Sequence, residues 1–210
     1  LSARAYSTQV APPMREAHEG VASTLRRFGV QRVRPWLAEA LAAANFREPS
    51  AIQAVVMPRV SRREDVVIHA PTGSGKTALF EMALVRLLFK PPRAARRAVY
   101  ISPTKALCEE RFQDWSTRLA KMDPTLKVAL VTGDADAGQA SSCDIASAHV
   151  IVTTPEKWDG STRNCDSESL IRSVNLLMID EVHYLGDKSR GSTLEAVLCR
   201  MMKTQRVAVG

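Results

Sequence analysis

A glycine-rich run at residues 70–77 (Ala-Pro-Thr-Gly-Ser-Gly-Lys-Thr) has the residue types and the spacing needed to hold a phosphate. Glycines allow successive backbone N–H groups to turn toward phosphate oxygens, and a helix that starts directly after them adds its partial positive charge. In the pattern G-x-x-x-x-G-K-[ST], Lys76 would contact the β- and γ-phosphates and the Thr77 hydroxyl would bind Mg²⁺. The run departs from this pattern at Ala70, and the alternative is a glycine turn that binds no ligand.

A second group of chemically active residues follows the apolar run 176–179 and comprises Asp180, Glu181 and His183. A carboxylate at the carboxyl end of a buried strand is suited to hold Mg²⁺ through water, which is the role expected for Asp180. Glu181 can orient or deprotonate an attacking water, and His183 could contact the γ-phosphate. The alternative is that the two acids merely begin a turn or a helix. Downstream of a phosphate loop, the pair indicates triphosphate hydrolysis rather than binding alone.

The elements that must position these residues are predicted from short apolar runs. Runs that are apolar throughout indicate strands buried on both faces of a parallel sheet, and they lie at 66–68, 98–101, 128–131, 150–152 and 176–179. Helices are predicted over 36–44, 51–57, 76–89, 106–120 and 193–202, and the second should stop at Pro58. In such a sheet, ligands bind outside the carboxyl ends of the strands.

Composition and charge fit a globular domain with an acidic partner. The 210 residues are 45% hydrophobic and 24% charged, and no apolar stretch of about 18 residues occurs, so no membrane span is predicted. The net charge of +7 is concentrated in residues 1–63 and 86–127, each at +6. This concentration suggests nucleic acid, and the alternative is a solvated basic surface. The four cysteines show neither a metal-ligand nor a disulfide pattern, which fits a reducing compartment.

Several residues outside these sites are expected to have structural roles. Trp115 and Trp158 are predicted to pack in the core. Pro12-Pro13 indicates an extended segment, and the Ser- and Arg-containing residues before it weakly resemble a mitochondrial transit peptide. A basic cluster after two prolines is predicted to lie in a solvated loop: Arg93, Arg96 and Arg97.

Further motifs lie at the predicted strand ends. Residues 102–107 (Ser-Pro-Thr-Lys-Ala-Leu) look like motif Ia of superfamily-two DExH helicases, and residues 153–159 (Thr-Thr-Pro-Glu-Lys-Trp-Asp) look like motif Ib. Residues 131–134 (Val-Thr-Gly-Asp) are similar to the strand end between them. The chain thus resembles the first RecA-like domain of these enzymes across roughly residues 46–210. With residues 190–195 (Arg-Gly-Ser-Thr-Leu-Glu), the motifs look most like the Ski-two-like branch and, within it, the meiotic crossover DNA helicases of the Mer-three type.

The resemblance implies a fold and a domain organisation. The fold would be the α/β RecA-like P-loop NTPase domain, a parallel sheet with helices on both faces. Residues 35–210 would form the helicase ATP-binding domain, and residues 1–34 a partly disordered N-terminal arm. A second RecA-like domain, expected in the full-length parent chain, would supply arginine fingers, which contribute ~10³–10⁵ in rate. The 210-residue chain alone is therefore expected to bind ATP weakly, hydrolyse it poorly and unwind nothing.

The resemblance also implies roles residue by residue. ATP would be held by Gln53 and by Ala70, Pro71, Thr72, Gly73, Ser74, Gly75, Lys76 and Thr77, with Mg²⁺ at Thr77 and Asp180. The catalytic residues would be Lys76, Asp180, Glu181 and His183. One nucleic-acid strand would contact Pro103, Thr104, Lys105, Thr154, Pro155 and Glu156 through its backbone, and the alternative for these residues is ordinary turn chemistry at helix starts. Phe46 resembles an aromatic near the adenine, and it equally fits a core position.

These roles together describe an ATP-dependent helicase or translocase. Its partner would be single-stranded or partly duplex nucleic acid, with DNA favoured and a role in meiotic recombination or repair. Two alternatives stay open: an RNA substrate, because backbone contacts discriminate poorly between the two, and a clamp that ATP gates without strand separation. The resemblance implies a nuclear location, with mitochondria as the alternative.

Overall fold

The computed structural model describes residues 12–30, 38, 48–62, 64–89, 96–133, 142–163, 168–188 and 190–207. The chain divides into two compact units, Leu1–Lys90 and Pro91–Gly210. The helix predicted over 36–44 lies outside the described residues except for Ala38, which is helical and buried. Phe46 and residues 1–11 also lie outside them.

The first unit contains helices α1 (Pro12–Arg27), α2 (Ala51–Arg62) and α3 (Lys76–Leu88). The prediction of an extended segment at Pro12-Pro13 was wrong, because proline is tolerated in the first turn of a helix, where its missing N–H needs no partner. Helix α2 also passes through Pro58 instead of stopping there. It packs against α3, and the Arg86 guanidinium donates to the Val60 carbonyl oxygen at 2.9 Å, which holds the turn beyond the proline.

The strand predicted at residues 66–68 is absent from the described residues of the first unit. Val67 has 85% of its surface exposed, which is the opposite of a strand buried on both faces. A strand requires a neighbouring strand to satisfy its N–H and C=O groups, and no described strand pairs with this run. An apolar run carries the preference for a strand but does not supply the partner, so this prediction was wrong.

The second unit is built on a parallel four-stranded sheet. Its strands are β1 (Arg97–Ile101), β2 (Val128–Val131), β3 (Val150–Thr153) and β4 (Val174–Ile179), in the spatial order β2-β3-β1-β4. Each agrees with a predicted run to within two residues. Strand β1 lies in the middle and pairs with both β3 and β4, with Tyr100 opposite Val152 on one side and Met178 on the other. The prediction of a parallel sheet is confirmed.

Helices cover both faces of this sheet, as predicted. They are α4 (Lys105–Met122), α5 (Ser142–Ser147), α6 (Pro155–Thr162), α7 (Glu168–Arg172) and α8 (Gly191–Val207). Alternate residues of β1 point to opposite faces: Val99 packs in a cluster with Trp158 of α6 and Val197 of α8, whereas the Tyr100 ring meets Trp115 of α4 edge-on at 5.0 Å. Both tryptophans are almost fully buried, so their predicted core positions are confirmed.

The carboxyl ends of the four strands open into the segments that carry the predicted motifs. Hydrogen bonds just beyond the strands hold these segments together: Ser102 N–H donates to the Thr153 carbonyl at 3.0 Å, and Asp180 N–H donates to the Ile101 carbonyl at 2.9 Å. The Thr153 hydroxyl donates to the Val131 carbonyl at 2.8 Å. The ladder thus continues past each strand and places the loops of motif Ia, motif Ib and Asp180 side by side.

Arg97 lies at the opposite end of the sheet, where the strands begin, and its hydrogen bonds hold that end together. Its guanidinium donates to the carbonyls of Ala148 (3.1 Å) and Ala146 (2.6 Å) and to the Ser173 hydroxyl (2.6 Å). Burial lowers the pKa of Arg97. The prediction of a solvated loop was therefore wrong for this residue, because its position in β1 brings carbonyl acceptors within its reach. Arg93 lies outside the described residues.

Candidate functional site

The glycine-rich run in the first unit forms a tight loop before α3. Gly73 and Gly75 have φ values of 79° and 94°, a region that glycine enters without steric cost. The Ser74 N–H donates to the Pro71 carbonyl at 3.2 Å and closes the turn. The Lys76 ammonium donates to the carbonyl oxygens of Ala70 (2.6 Å) and Pro71 (2.9 Å), so a positive charge spans the start of the loop.

Two side chains from the start of α2 hold this loop from behind. The Gln53 amide donates to the Gly75 carbonyl at 2.9 Å and accepts from the Ser50 N–H at 2.9 Å, and the Ser50 hydroxyl donates to the Ser74 carbonyl at 2.8 Å. A Cβ on Gly75 would overlap the Gln53 amide in its hydrogen-bonded position, and the φ of 94° favours glycine there by conformation. Gln53 was expected to contact adenine; in this structure it is buried and bound to the loop backbone.

The loop fits a phosphate group. Gly75 precedes α3 without a side-chain cap, so no side chain competes for the first N–H groups of that helix. The Ser74 hydroxyl is buried and has no hydrogen-bond partner among the described residues. Thr72 and Gly73 are exposed, and Thr77 stands half-buried in the first turn of α3. The Ser74 hydroxyl, the N-terminus of α3 and the Lys76 ammonium all favour the binding of negatively charged phosphate oxygens.

In the second unit, Asp180 is held at the carboxyl end of β4 by two hydrogen bonds to its carboxylate. The Tyr100 hydroxyl donates to Asp180 Oδ2 at 2.6 Å, and the Glu181 N–H donates to Asp180 Oδ1 at 3.0 Å. Burial, and then the hydrogen bond with Asp180, raise the pKa of Tyr100 well above its ordinary value, so the phenol stays a donor. Each carboxylate oxygen keeps a further lone pair, which suits a hard cation such as Mg²⁺.

Glu181 and His183 lie in the turn directly after Asp180. Glu181 has φ 52°, the one positive value outside glycine among the described residues. Such a backbone costs about 1–3 kcal/mol and is concentrated at functional sites. A 3₁₀ helix (Val182–Gly186) follows, and the His183 Nδ1 lies 3.2 Å from Glu181 Oε2. Both side chains are largely exposed, so they can reach a ligand outside the strand ends.

The motif Ia and Ib loops both end in helix starts. The Thr104 hydroxyl caps α4 by accepting from the Leu107 N–H at 3.3 Å. Thr154 is the N-cap of α6 without a side-chain bond, and Pro155 follows it in a buried position. Glu156, next along, is exposed. The Thr104 hydroxyl therefore has a structural role as a helix cap, which is the ordinary turn chemistry given above as the alternative. The Thr154 hydroxyl does not cap its helix.

Two lysines converge on Gly133 at the end of β2. The Lys105 ammonium donates to the Gly133 carbonyl at 3.1 Å, and a Cβ on Gly133 would overlap the side chain of Lys157. Glycine therefore lets a motif Ib lysine lie against the strand end beside a motif Ia lysine. Lys157 was not predicted as a site residue, although its place next to Glu156 in the motif was a usable signal.

A small cleft lies between these loops and the turn after β4. It is lined by Ile101, Pro103, Pro155, Ile179, Asp180, Tyr184, Arg190 and Leu194. The structure therefore brings Asp180 together with one residue of motif Ia and one of motif Ib. Arg190 and Tyr100 belong to this assembly and were missed by the sequence reasoning. Tyr100 looks like one more apolar strand residue, and Arg190 lies in a polar stretch where nothing marks its partner.

Comparison with known proteins identifies the family. The sequence profile of the DEAD/DEAH box helicase family matches residues 50–209. The chain belongs to this family. The resemblance to superfamily-two helicases is thereby confirmed, and the matched range includes the glycine-rich loop and the Asp-Glu-Val-His turn.

Relatives narrow the branch. The chain is 45% identical over 144 residues to the human probable ATP-dependent DNA helicase HFM1, and the match covers 68% of this chain and 10% of the relative. It is 41% identical over 157 residues to the rat activating signal cointegrator 1 complex subunit 3, covering 74% and 7%. These similarities confirm the Ski-two-like and Mer-three-type resemblance. The chain spans about a tenth or less of these relatives' length.

Solved structures agree on the fold. The helicase MrfA bound to DNA and AMPPNP is similar with a TM-score of 0.70 at 22% identity, over 83% of this chain and 24% of that one. Dbp5 of S. cerevisiae bound to RNA and ADP BeF₃ is similar with a TM-score of 0.62 at 21% identity, over 85% and 43%. The predicted α/β RecA-like P-loop NTPase fold is confirmed. Among the described residues, no helix has both the length and the apolar character needed to cross a membrane.

Proposed function

We propose that this helicase domain binds ATP and Mg²⁺ and moves a single strand of nucleic acid across the carboxyl edge of its sheet. The observation that carries the proposal is the assembly at that edge, where Asp180 shares one cleft with Pro103 of motif Ia and Pro155 of motif Ib. One hydrogen-bonded framework holds this carboxylate and the two loops that we propose for strand binding. Family membership supplies the reaction class, ATP hydrolysis coupled to helicase activity.

The residues proposed for the ATP step divide by chemistry. The loop residues 70–77 would bind the phosphates through backbone N–H groups, with Lys76 turning from its carbonyl partners to the β- and γ-phosphates. Each unit has its own proposed Mg²⁺ ligand, Thr77 in the first and Asp180 in the second, and Mg²⁺ when bound neutralises charge on phosphate oxygens. Glu181 would orient the attacking water, and His183 would contact the γ-phosphate. Gln53 would act through the loop backbone and, with its remaining N–H and lone pair, toward adenine.

The residues proposed for nucleic-acid binding contact the sugar–phosphate backbone. Thr154 is buried in this structure and its hydroxyl caps no helix, and the exposed Lys105 and Lys157 bring two positive charges to Gly133. Pro103, Thr104, Pro155 and Glu156 shape the two loops. Contacts of this kind bind strands of any sequence, which suits a motor that moves along its substrate.

We favour DNA as the substrate and propose a nuclear location. Relatives at 44–46% identity are named probable ATP-dependent DNA helicases, which supports a DNA substrate, and we propose a role in meiotic recombination or repair from the Mer-three-type resemblance. An RNA substrate is the second candidate, since a structural neighbour is bound to RNA. We further propose that residues 35–210 form the ATP-binding domain, that 1–34 form an accessory arm, and that a second RecA-like domain completes the motor. A mitochondrial location is the alternative.

Lys76→Ala in the full-length protein tests the ATP site. Loss of a cation that stabilises transferring phosphate should lower ATP turnover by about 100-fold or more. Lys121→Ala, at the exposed end of α4, is the matched control and should leave turnover unchanged. Turnover of Lys76→Ala equal to that of the control would refute the assignment of the loop.

Measurements on the full-length protein also distinguish DNA from RNA as the substrate, and a helicase from an ATP-gated clamp. ATP turnover is measured with single-stranded DNA, with single-stranded RNA of the same sequence, and without either, and strand separation is measured on a partly duplex substrate. We expect stimulation by DNA and ATP-dependent separation. Stimulation by RNA alone would favour the RNA helicase, and ATP-dependent binding without separation would favour the clamp.

A further inference from the structure

Arg190 links two loops that lie far apart in the sequence. Its Nη1 donates to the carbonyl oxygen of Pro103 at 2.7 Å, and its Nε lies 3.6 Å from Glu156 Oε1. Pro103 belongs to motif Ia and Glu156 to motif Ib, so one guanidinium contacts both proposed strand-binding loops. The planar fork of arginine allows this double contact, which a lysine amine reproduces poorly.

The backbone of Arg190 is held against the turn that carries the proposed catalytic acids. Arg190 N–H donates to Asp187 Oδ1 at 3.1 Å. Gly191 follows, and a Cβ there would overlap the carbonyl oxygen of Leu185, so α8 begins in close contact with the 3₁₀ helix. That 3₁₀ helix is joined to Glu181 through the Tyr184 N–H, which donates to the Glu181 carbonyl at 3.0 Å. A short, hydrogen-bonded path thus runs from Glu181 to Arg190.

The charge of Arg190 matters for Glu156. Glu156 is a carboxylate in a loop proposed to lie beside phosphates, and an uncompensated negative charge would repel them. Among the residues that the structure describes, Arg190 is the cation that pairs with Glu156. Both side chains of the pair are about half-exposed, so the pair contributes little to folding stability. We expect it to affect the affinity for a nucleic-acid strand instead.

We propose that Arg190 is a positioning residue for nucleic-acid binding: it sets the separation of the motif Ia and Ib loops and neutralises Glu156. The proposal rests on the proposed function of those loops. Arg190 itself touches neither ATP nor the strand in this scheme. Its hydrogen bonds connect the turn after Asp180 to the proposed strand-binding surface.

The test uses Arg190→Ala in the full-length protein, with Arg172→Ala as the control. Arg172 also pairs with a glutamate, Glu168, at 2.6 Å, has 45% of its side chain exposed against 46% for Arg190, and lies just before β4 at the other edge of the sheet. We expect Arg190→Ala to raise the concentration of single-stranded DNA that gives half-maximal stimulation by about 10-fold, as for losing ~1.4 kcal/mol. The KM for ATP should change by less than about 2-fold.

Two further variants separate positioning from a general structural role. Glu156→Gln added to Arg190→Ala should recover part of the lost DNA affinity, because it removes the unpaired carboxylate, whereas a purely structural defect would not recover. Arg190→Lys should fall between the unsubstituted protein and Arg190→Ala. The dependence of DNA affinity on salt should keep its slope, whereas loss of a direct phosphate contact would lower it by ~0.7.

The outcomes are distinguishable. Equal DNA affinity of Arg190→Ala and Arg172→Ala overturns the positioning role and leaves the proposed function standing. A lowered salt slope shows that Arg190 contacts phosphate directly, which also overturns it. Failure of the unsubstituted protein to bind or respond to any nucleic acid overturns both proposals.

Discussion

Tyr100 shows how a single hydroxyl in an apolar strand can serve a polar site. The ring is buried and packs on Trp115, while the hydroxyl reaches Asp180 across the β1–β4 pairing. A hydrogen bond to a charged group is worth about 1.5–3 kcal/mol. Because Asp180 is the proposed Mg²⁺ partner, we interpret Tyr100 as the residue that fixes the direction of its carboxylate.

Tyr100→Phe tests this interpretation at the scale of one atom. The substitution keeps the ring and removes the hydroxyl, so the Mg²⁺ concentration for half-maximal ATP turnover should rise by ~10-fold, as is usual for groups that orient a metal ligand. Thermal unfolding of the same protein reports whether the core is intact. An unchanged Mg²⁺ requirement in a stably folded variant would contradict the role.

At the scale of elements, a buried ion pair joins α6 to α8. Asp159 has 4% of its side chain exposed and accepts from Arg200 Nη2 at 2.8 Å and from Arg163 Nε at 2.7 Å. Arg200 also donates to the Thr162 hydroxyl at 2.7 Å. Burial by itself would raise the pKa of Asp159, but the hydrogen bonds from Arg163 and Arg200 outweigh it and hold the pKa below its ordinary value. The pair thus fixes the helix that motif Ib begins.

Asp159→Asn should destabilise the protein by about 3 kcal/mol, because it leaves the partly buried Arg200 without its charge partner. Urea unfolding measures this loss. Glu168→Gln, which removes an exposed pair with Arg172 on α7, is the control and should cost less than about 1 kcal/mol. Equal costs for the two variants would contradict the structural importance of Asp159.

The same pair predicts a pH dependence. The folded-state pKa of Asp159 is lowered, so its contribution is present above the unfolded value near 4 and is lost as the pH falls through the folded value. The unsubstituted protein should therefore lose stability more steeply below about pH 4 than Asp159→Asn does. Parallel pH profiles of unfolding for the two proteins would contradict this.

At the scale of the whole molecule, the charge of +7 resolves into local groups. Part of the basic excess is used inside the protein, as with Arg97 at the amino edge of the sheet. Another part, Lys105 and Lys157, lies at the carboxyl edge beside Gly133. The net charge therefore includes charges such as Arg97 that are bonded within the protein. Only the remaining charges, such as Lys105 and Lys157, indicate an acidic partner.

Lys157→Ala tests the exposed part of this charge. If the ammonium contacts a phosphate, its removal should weaken single-stranded DNA binding equally for strands of different sequence and lower the salt slope by ~0.7. Lys121→Ala should leave both unchanged. A sequence-dependent loss, or an unchanged salt slope, would contradict a phosphate contact.

Much of the second unit was predictable because buried parallel strands leave a strong local signal. All four strands of its sheet coincide with apolar runs, and Thr104 and Pro155 carry recognisable helix-start chemistry. The run 66–68 has the same signal and forms no strand among the described residues, because pairing depends on a neighbour that local pattern does not specify. The predictions at Pro12 and Pro58 were wrong for a different reason. Whether a proline interrupts a helix depends on its position in that helix and on the packing around it.

What the sequence by itself determined is the set of proposed ATP-site groups, since Lys76, Thr77, Asp180 and Glu181 lie in two short motifs that can be identified without the fold. What only the tertiary structure decided is which groups support them. Tyr100 reaches Asp180, Arg190 reaches Pro103 and Glu156, and Lys157 lies on Gly133, each across many residues of chain. Such pairings arise from strand register and helix packing, which are properties of the folded molecule and not of any local segment.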